Sequence, residues 1–225
     1  MNPKQAAAEQ AVTYVRTGMT VGLGTGSTAA FAITALGKMV KEGLSIKGIA
    51  TSIHSEELAK VSGIPIVSFA DINTIDITID GADECDENLN LVKGGGGALL
   101  REKIVAAASQ FYIIIVDETK MVKQLGAFPL PVEVIPFGHE MVIKHLIAIE
   151  AIPLVRMKDE KVFITDNGNY ILDCSFGNIN EAMVLHEQIN HITGVVENGL
   201  FINMADIVIA ANDDGASRII KRTHR

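Results

Sequence analysis

Two hydrophobic rhythms share this chain. In the first half, compact apolar runs at 20–23, 46–50, 64–67, 75–79 and 111–116 read as β-strands. Longer stretches between them, at 5–15, 28–40, 55–61 and 98–108, read as helices; Phe31, Leu36 and Val40 mark the apolar side of one. The run 111–116 is apolar at all six positions, the pattern of a central strand covered on both sides. Strands that alternate with helices in this way predict a mostly parallel sheet with helices on both faces.

The rhythm changes near Phe128. Pro129, Pro131 and Pro136 punctuate a strand at 132–135. A helix at 139–149, short strands at 152–155, 161–165 and 170–174, and a helix at 180–190 follow. Asn167-Gly168 falls between the last two strands and signals a hairpin. That order predicts a small split-βαβ, ferredoxin-like unit. At 207–210 a buried parallel strand returns. The expected architecture is therefore α/β: a Rossmann-like, mostly parallel sheet from residues 1–127 and 201–225, with a small α+β domain inserted at 128–200.

Composition narrows the function classes. With 225 residues, 48% of them hydrophobic, the chain can build a substantial core. No apolar run is long enough to span a bilayer, and the polar, alanine-rich stretch from Met1 to Ala11 does not read as a secretory leader. The net charge of −8, without a basic stripe and without tryptophan, argues against nucleic acid as a partner. Any anionic ligand must be held by a local site working against that charge. Cys85 and Cys174 form no CxxC pair and have no nearby histidine or basic cluster, so they read as inert thiols of a reducing cytosol.

Candidate chemistry begins at Gly22-Leu23-Gly24-Thr25-Gly26-Ser27-Thr28, which follows a strand and opens a helix. Free N–H groups and the positive dipole end of such a helix suit a phosphate, with Ser27 and Thr28 adding hydroxyl donors. A tight strand–helix turn with hydroxyl caps is the competing explanation. A dinucleotide site fits poorly, because Ser27 stands where the third glycine belongs and Thr51 and Ser52, rather than an acid, follow the next strand. The loop is no Walker A motif either, since no Gly-Lys-Ser/Thr follows.

The densest chemistry lies between Asp80 and Glu102. Asp80 and Asp83 close an Ile-rich strand, at the sheet edge where α/β proteins bind ligands. An Asx turn with solvated acids is the alternative. Asp80, Asp83, Glu84, Asp86 and Glu87 also raise a metal site, but Gly81 comes too early for an EF-hand and no histidine accompanies them. Lys93 leads into Gly94, Gly95, Gly96 and Gly97, a loop that reads as amide donors for an oxyanion or as a hinge. None of the residues three or four positions from Glu102 on its helix is basic, so no helical ion pair explains it. A desolvated carboxylate there suits a general base near neutral pH, while a dipole-stabilising glutamate in a first helical turn is the alternative. Lys120, in Asp117-Glu118-Thr119-Lys120, follows the most apolar strand and reads as an anion contact or a solvated lysine. The scattered histidines show no HExxH spacing and read as structural or surface residues.

Four blocks together, the Gly22–Thr28 turn, Asp80-Gly81-Ala82-Asp83-Glu84, Lys93 through Lys103 and Asp117–Lys120, resemble ribose-5-phosphate isomerase of the A type. The resemblance covers essentially the whole chain, and the middle blocks carry most of its specificity. It implies an aldose–ketose isomerase that interconverts ribose 5-phosphate and ribulose 5-phosphate without a cofactor or metal, homo-oligomeric as a homodimer or tetramer with the homodimer favoured; the cytoplasm is the expected setting from cysteine usage. Glu102 would then move the proton between C2 and C1. Asp80 would assist ring opening or proton transfer at the hydroxyls. Asp83, with Gly81 and Ala82, would hold the sugar. Lys93 and the amides of Gly94, Gly95 and Gly96 would stabilise the enediolate. Thr25, Gly26, Ser27 and Thr28 would bind the phosphate, with Lys120 and Lys4 adding positive charge. A hexosamine-phosphate deaminase would be expected to use a histidine in ring opening, and a sugar-phosphate sensor would have no need of Glu102.

Overall fold

A computed structural model describes residues 2–222. They pack as two units, one from 2–82, 101–121 and 203–222, the other from 83–100 and 122–202. No helix among the described residues is long and apolar enough to cross a membrane.

The first unit is built on a six-stranded sheet. Its strands run in the order Ser217–Lys221, Ile207–Ala211, Tyr112–Asp117, Ile77–Asp80, Thr20–Leu23, Lys47–Ala50. Only the first pair is antiparallel. The strand at 217–221 is absent from the sequence expectation: Ser217, Arg218 and Lys221 are polar positions on a solvated sheet edge, without the apolar run that marks a covered strand. Tyr112 to Val116 are essentially inaccessible, as their composition predicts.

Alternation along that strand sends side chains to opposite faces. Ile113 and Ile115 join Ile77, Ile79, Ile207 and Ile209 against helices Pro3–Val12 and Ser27–Lys41. The other face meets helix Leu99–Ala107, where a Cβ on Gly22 would lie 2.7 Å from the Val105 side chain. The helix starts follow local chemistry. Asn2 caps the first helix ahead of Pro3, and Ser52 accepts from the Ser55 amide to start helix Ile53–Ser62. Gly63, at φ +85°, ends that helix in the left-handed conformation.

The expected strand at 64–67 shrinks to one parallel bridge between Gly48 and Ile66. Pro65 has no N–H to donate, and the Ile64 amide is spent on the Ala59 carbonyl of the preceding helix.

The second unit centres on a four-stranded antiparallel sheet ordered Val195–Asn198, Leu130–Val134, Tyr170–Ser175, Ile152–Val155. With helices His139–Ala148 and Ala182–Asn190 this is the split-βαβ arrangement, completed by a fourth strand that the sequence pattern did not reveal. The unit also takes in 83–100, beyond the segment marked from sequence. Strand Leu91–Val92 is flanked by Glu84–Cys85 and Leu200–Phe201. Glu84, 3% exposed, accepts from the Gly126 and Phe128 amides, both at 2.7 Å. Glu84→Ala leaves both amides without that acceptor and should cost about 3 kcal/mol, read as a lower denaturant midpoint at unchanged slope.

The hairpin expected at Asn167-Gly168 sits elsewhere. Strand Lys161–Val162 pairs with Met157–Lys158 across Asp159 and Glu160, both at positive φ. Both edges of Tyr170–Ser175 are already taken by Leu130–Val134 and Ile152–Val155, so no ladder can form across 165–169. The turn itself remains, with Gly168 at φ +82°. It is tied down by Thr165 and Asn169 donating to the fully buried Glu133 at 3.0 and 2.9 Å.

Candidate active site

In the first unit, strand Thr20–Leu23 is followed on one side by Lys47–Ala50 and on the other by Ile77–Asp80. This reversal of strand order opens a crevice beyond the carboxyl ends, the usual ligand position in open α/β sheets. The register Leu23↔Ile79 delivers Gly24 and Asp80 to that point side by side. The Gly24 amide continues the ladder to the Ile79 carbonyl at 3.0 Å.

Asp80 is fully buried there. Its Oδ1 accepts from the Thr25 amide at 3.0 Å and from the Gly81 amide at 2.8 Å. Thr25 Oγ1 meets Thr51 Oγ1 at 2.7 Å and Ser52 Oγ at 2.9 Å, and Ser55 Oγ donates to the Gly24 carbonyl at 2.7 Å. Thr51 and Ser52, which stand where a dinucleotide site would carry its acid, thus brace the glycine turn. Gly26 holds φ +98° as the helix begins, and no side chain caps that N-terminus. Ser27, the first helical residue, is exposed, and Lys4 Nζ donates to its Oγ at 3.0 Å. Thr28 is half-buried, and Gly81 and Ala82 leave the strand end half-buried. Lys120 closes the short helical turn Glu118–Lys120 after Tyr112–Asp117, on the same carboxyl edge of the sheet.

Glu102 is 4% exposed in the first turn of helix Leu99–Ala107. Burial sets it apart from a merely dipole-favouring surface glutamate. Tyr112 connects the acids. It is 1% exposed, and its hydroxyl points at Asp80 Oδ2 from 3.5 Å. Burial first, and then the charges of Asp80 and Glu102, push the Tyr112 hydroxyl well above its ordinary range, so it stays protonated. The sequence reading passed over Tyr112 as one apolar residue among six. Its signal was a lone hydroxyl in an aliphatic strand that ends where acids collect.

The second unit places the remaining candidates. Asp83 Oδ2 accepts from the Gly95 amide at 2.8 Å, and the Asp83 amide donates to the Val92 carbonyl at 2.9 Å. Lys93 is 2% exposed, with Nζ 5.4 Å from the centre of the Phe201 ring. Gly94 and Gly97 close a turn through a 2.9 Å amide–carbonyl bond, at φ +102° and +81°. A Cβ on Gly97 would also collide with the Phe163 ring. The loop is therefore a fixed turn with Gly95 and Gly96 outward, which disfavours the hinge.

The acidic cluster dissolves into separate tasks. Asp80 serves the glycine turn, Asp83 the Gly95 amide, Glu84 the 126–128 backbone, and Asp86 the amides of Asn88 and Asn90 at 2.9 and 2.8 Å. Among the described residues no three His, Cys, Asp or Glu are grouped to hold a metal ion. Both cysteines are buried, and burial with Asp173 nearby pushes the Cys174 thiol up to about 12, so it is no nucleophile.

Comparison with known proteins places these residues in context. The family model for ribose 5-phosphate isomerase A (phosphoriboisomerase A) matches residues 47–215. Ribose-5-phosphate isomerase A of Bacillus cereus is 51% identical over 220 residues, 97% of this chain and all of that one. The structure of ribose 5-phosphate isomerase A from Methanocaldococcus jannaschii superposes with a TM-score of 0.93 at 43% identity, covering 98% of both chains. A D-ribose-5-phosphate isomerase solved in complex with phospho-erythronic acid gives 0.95 at 40% identity, covering 99% of this chain and 100% of that one.

Proposed function

This chain belongs to the ribose 5-phosphate isomerase A family, and on that premise we propose that it interconverts D-ribose 5-phosphate and D-ribulose 5-phosphate through an enediolate. The observation that carries the reading is the buried Asp80–Tyr112–Glu102 group beside an uncapped helix start. The relative that holds phospho-erythronic acid, a phosphorylated sugar acid, supports it.

In this reading the phosphate takes the helix start at Gly26, Ser27 and Thr28, with Thr25 fixing the turn and Lys4 and Lys120 supplying charge. Asp80, held as an acceptor by two amides, takes and returns a hydroxyl proton as the sugar ring opens. Glu102 removes the proton from C2 of the open aldose. The C–H electrons form the C1=C2 bond, and the carbonyl π electrons move onto O1. Asp80 takes the O2 proton and O1 is protonated in its place. The O2 electrons then form the C2 ketone as the C1=C2 pair takes back the proton from Glu102 at C1. Lys93 and the 94–96 amides offset the charge on the enediolate oxygen, and Asp83 holds the sugar hydroxyls. Only the two carboxylates change protonation, so no redox cofactor is required.

The same reading makes the protein a cytosolic enzyme of the pentose phosphate route and a homodimer. Its buried free thiols and the outward Phe137, Ile152, Leu154 and Ile164 of the second unit support that setting. Sedimentation velocity should give twice the chain mass. Purified protein given ribose 5-phosphate in excess chelator should form a ketose without additives. No turnover would overturn the isomerase reading, and turnover restored only by a divalent cation would reinstate the metal site.

A further inference from the structure

Within the second unit one arginine holds the glycine loop from behind. Arg156 Nη1 donates to the Gly94 carbonyl at 2.8 Å and to the Gly95 carbonyl at 3.3 Å. Its other nitrogens are held by Asp173, Nε to Oδ2 at 2.9 Å and Nη2 to Oδ1 at 2.5 Å. That fork-to-fork pairing fixes the plane of the guanidinium, and the pair is only slightly exposed. The centre of the Phe163 ring lies 5.9 Å from the guanidinium carbon, and the ring fills the space that a Cβ on Gly97, at the end of the same loop, would need.

The consequence follows from peptide geometry. The Gly94 carbonyl shares a trans peptide plane with the Gly95 N–H, and the Gly95 carbonyl shares one with the Gly96 N–H. A trans unit points its C=O and N–H in opposite directions. Two consecutive carbonyls drawn to one cation therefore turn two consecutive N–H groups the other way. The Gly95 amide indeed donates to an anionic oxygen on that side, Asp83 Oδ2 at 2.8 Å. The cation also polarises both peptide groups, which strengthens their N–H groups as donors.

We propose that Arg156, locked by Asp173, is a positioning residue that sets the Gly95 amide on Asp83 and thereby aims the Gly96 amide at the enediolate oxygen. It touches no substrate and acts only through the loop. The inference rests on the isomerase reading and deepens it.

The test compares the wild type with Arg156→Lys and Arg156→Ala in the full-length chain. Lysine keeps the charge but cannot span two carbonyls and both Asp173 oxygens at once. For both variants kcat should fall ~30-fold, short of the ~10²–10³-fold that outright loss of an oxyanion donor costs because the amide is misaimed rather than removed, while KM for ribose 5-phosphate stays within about 3-fold. Guanidinium ion at non-denaturing concentration should restore part of the kcat of Arg156→Ala and none of that of Arg156→Lys, whose side chain still fills the site. Asp173→Asn, which keeps the arginine but loosens its plane, should lose less, about 5-fold. Wild-type kcat in folded Arg156 variants, or a loss that tracks only the unfolded fraction and ignores guanidinium, would overturn the proposal. If Arg156→Ala does not fold, Asp173→Asn decides alone, and an unchanged kcat there counts against it. A wild type inactive on ribose 5-phosphate would sink the isomerase reading itself, whereas active wild type with unaffected variants sinks this inference only.

Discussion

Glu102→Gln should bind ribose 5-phosphate almost as well as the wild type and turn it over at least ~10²-fold more slowly. The amide keeps the size and shape of the carboxylate, so the substrate pocket is retained. What it loses is a basic electron pair. Glu102 is 4% exposed and shares its surroundings with Tyr112 and Asp80. The KM-against-kcat split should show the difference most clearly, with the loss confined to kcat. Stopped assays of ketose formation, with substrate affinity measured separately by calorimetry, check both halves. Near-normal kcat in the variant would remove Glu102 from the role of base.

Gly24→Ala should abolish activity nearly as completely, although Gly24 has no chemistry. The strand register sets its backbone directly against Asp80, and an added Cβ would lie 2.6 Å from the Asp80 Cα. Backbone cannot move aside as a side-chain tip can. Either the glycine turn lifts, breaking the Thr25 amide bond to Asp80, or the end of strand Ile77–Asp80 shifts. Displacement of ~1 Å in a positioned acid costs on the order of 10²-fold in rate, and overpacking costs about 1–3 kcal/mol in stability. Kinetics and thermal melting on one preparation should show both losses, with activity falling further than the folded fraction. Gly26→Ala is the contrast. It strains a left-handed residue, but the added Cβ meets open space, so its thermal midpoint should fall less. Equal damage from both substitutions would mean that the approach to Asp80 is not what Gly24 provides.

Much of the fold was legible because burial dominates composition where a strand is covered on both faces. Residues 111–116 announce themselves that way, and Tyr112–Asp117 lies in the middle of the sheet. Edges are less legible. Strand Ser217–Lys221 is half solvated, and Val195–Asn198 ends in polar residues, so neither carries an apolar signature. The segment at 64–67 has the right composition for a strand but the wrong hydrogen-bonding inventory, because Pro65 cannot donate. Asn167-Gly168 is a sound turn signal whose hairpin is displaced by competition for strand edges, a property of the sheet rather than of the dipeptide.

The candidate chemistry divides in a similar way. Residue types and spacing picked out Asp80, Asp83, Lys93, the glycine loop and Glu102, because few structural needs call for them together. They could not separate Glu84 from its acidic neighbours, and only folding gives it the Gly126 and Phe128 amides. They could not find Tyr112 or Arg156 either. One hides in an apolar run, and the other lies 62 positions from the carbonyl it binds.

By itself, then, the sequence determined the α/β class, the helix start at Gly26 and the stock of acids and amides, since each depends on local periodicity or on residues a few positions apart. The tertiary structure alone decided which carboxylate is buried, which merely holds backbone, and which distant side chains orient the loop. Those properties depend on desolvation and on contacts between residues far apart in the chain, and no local pattern encodes either.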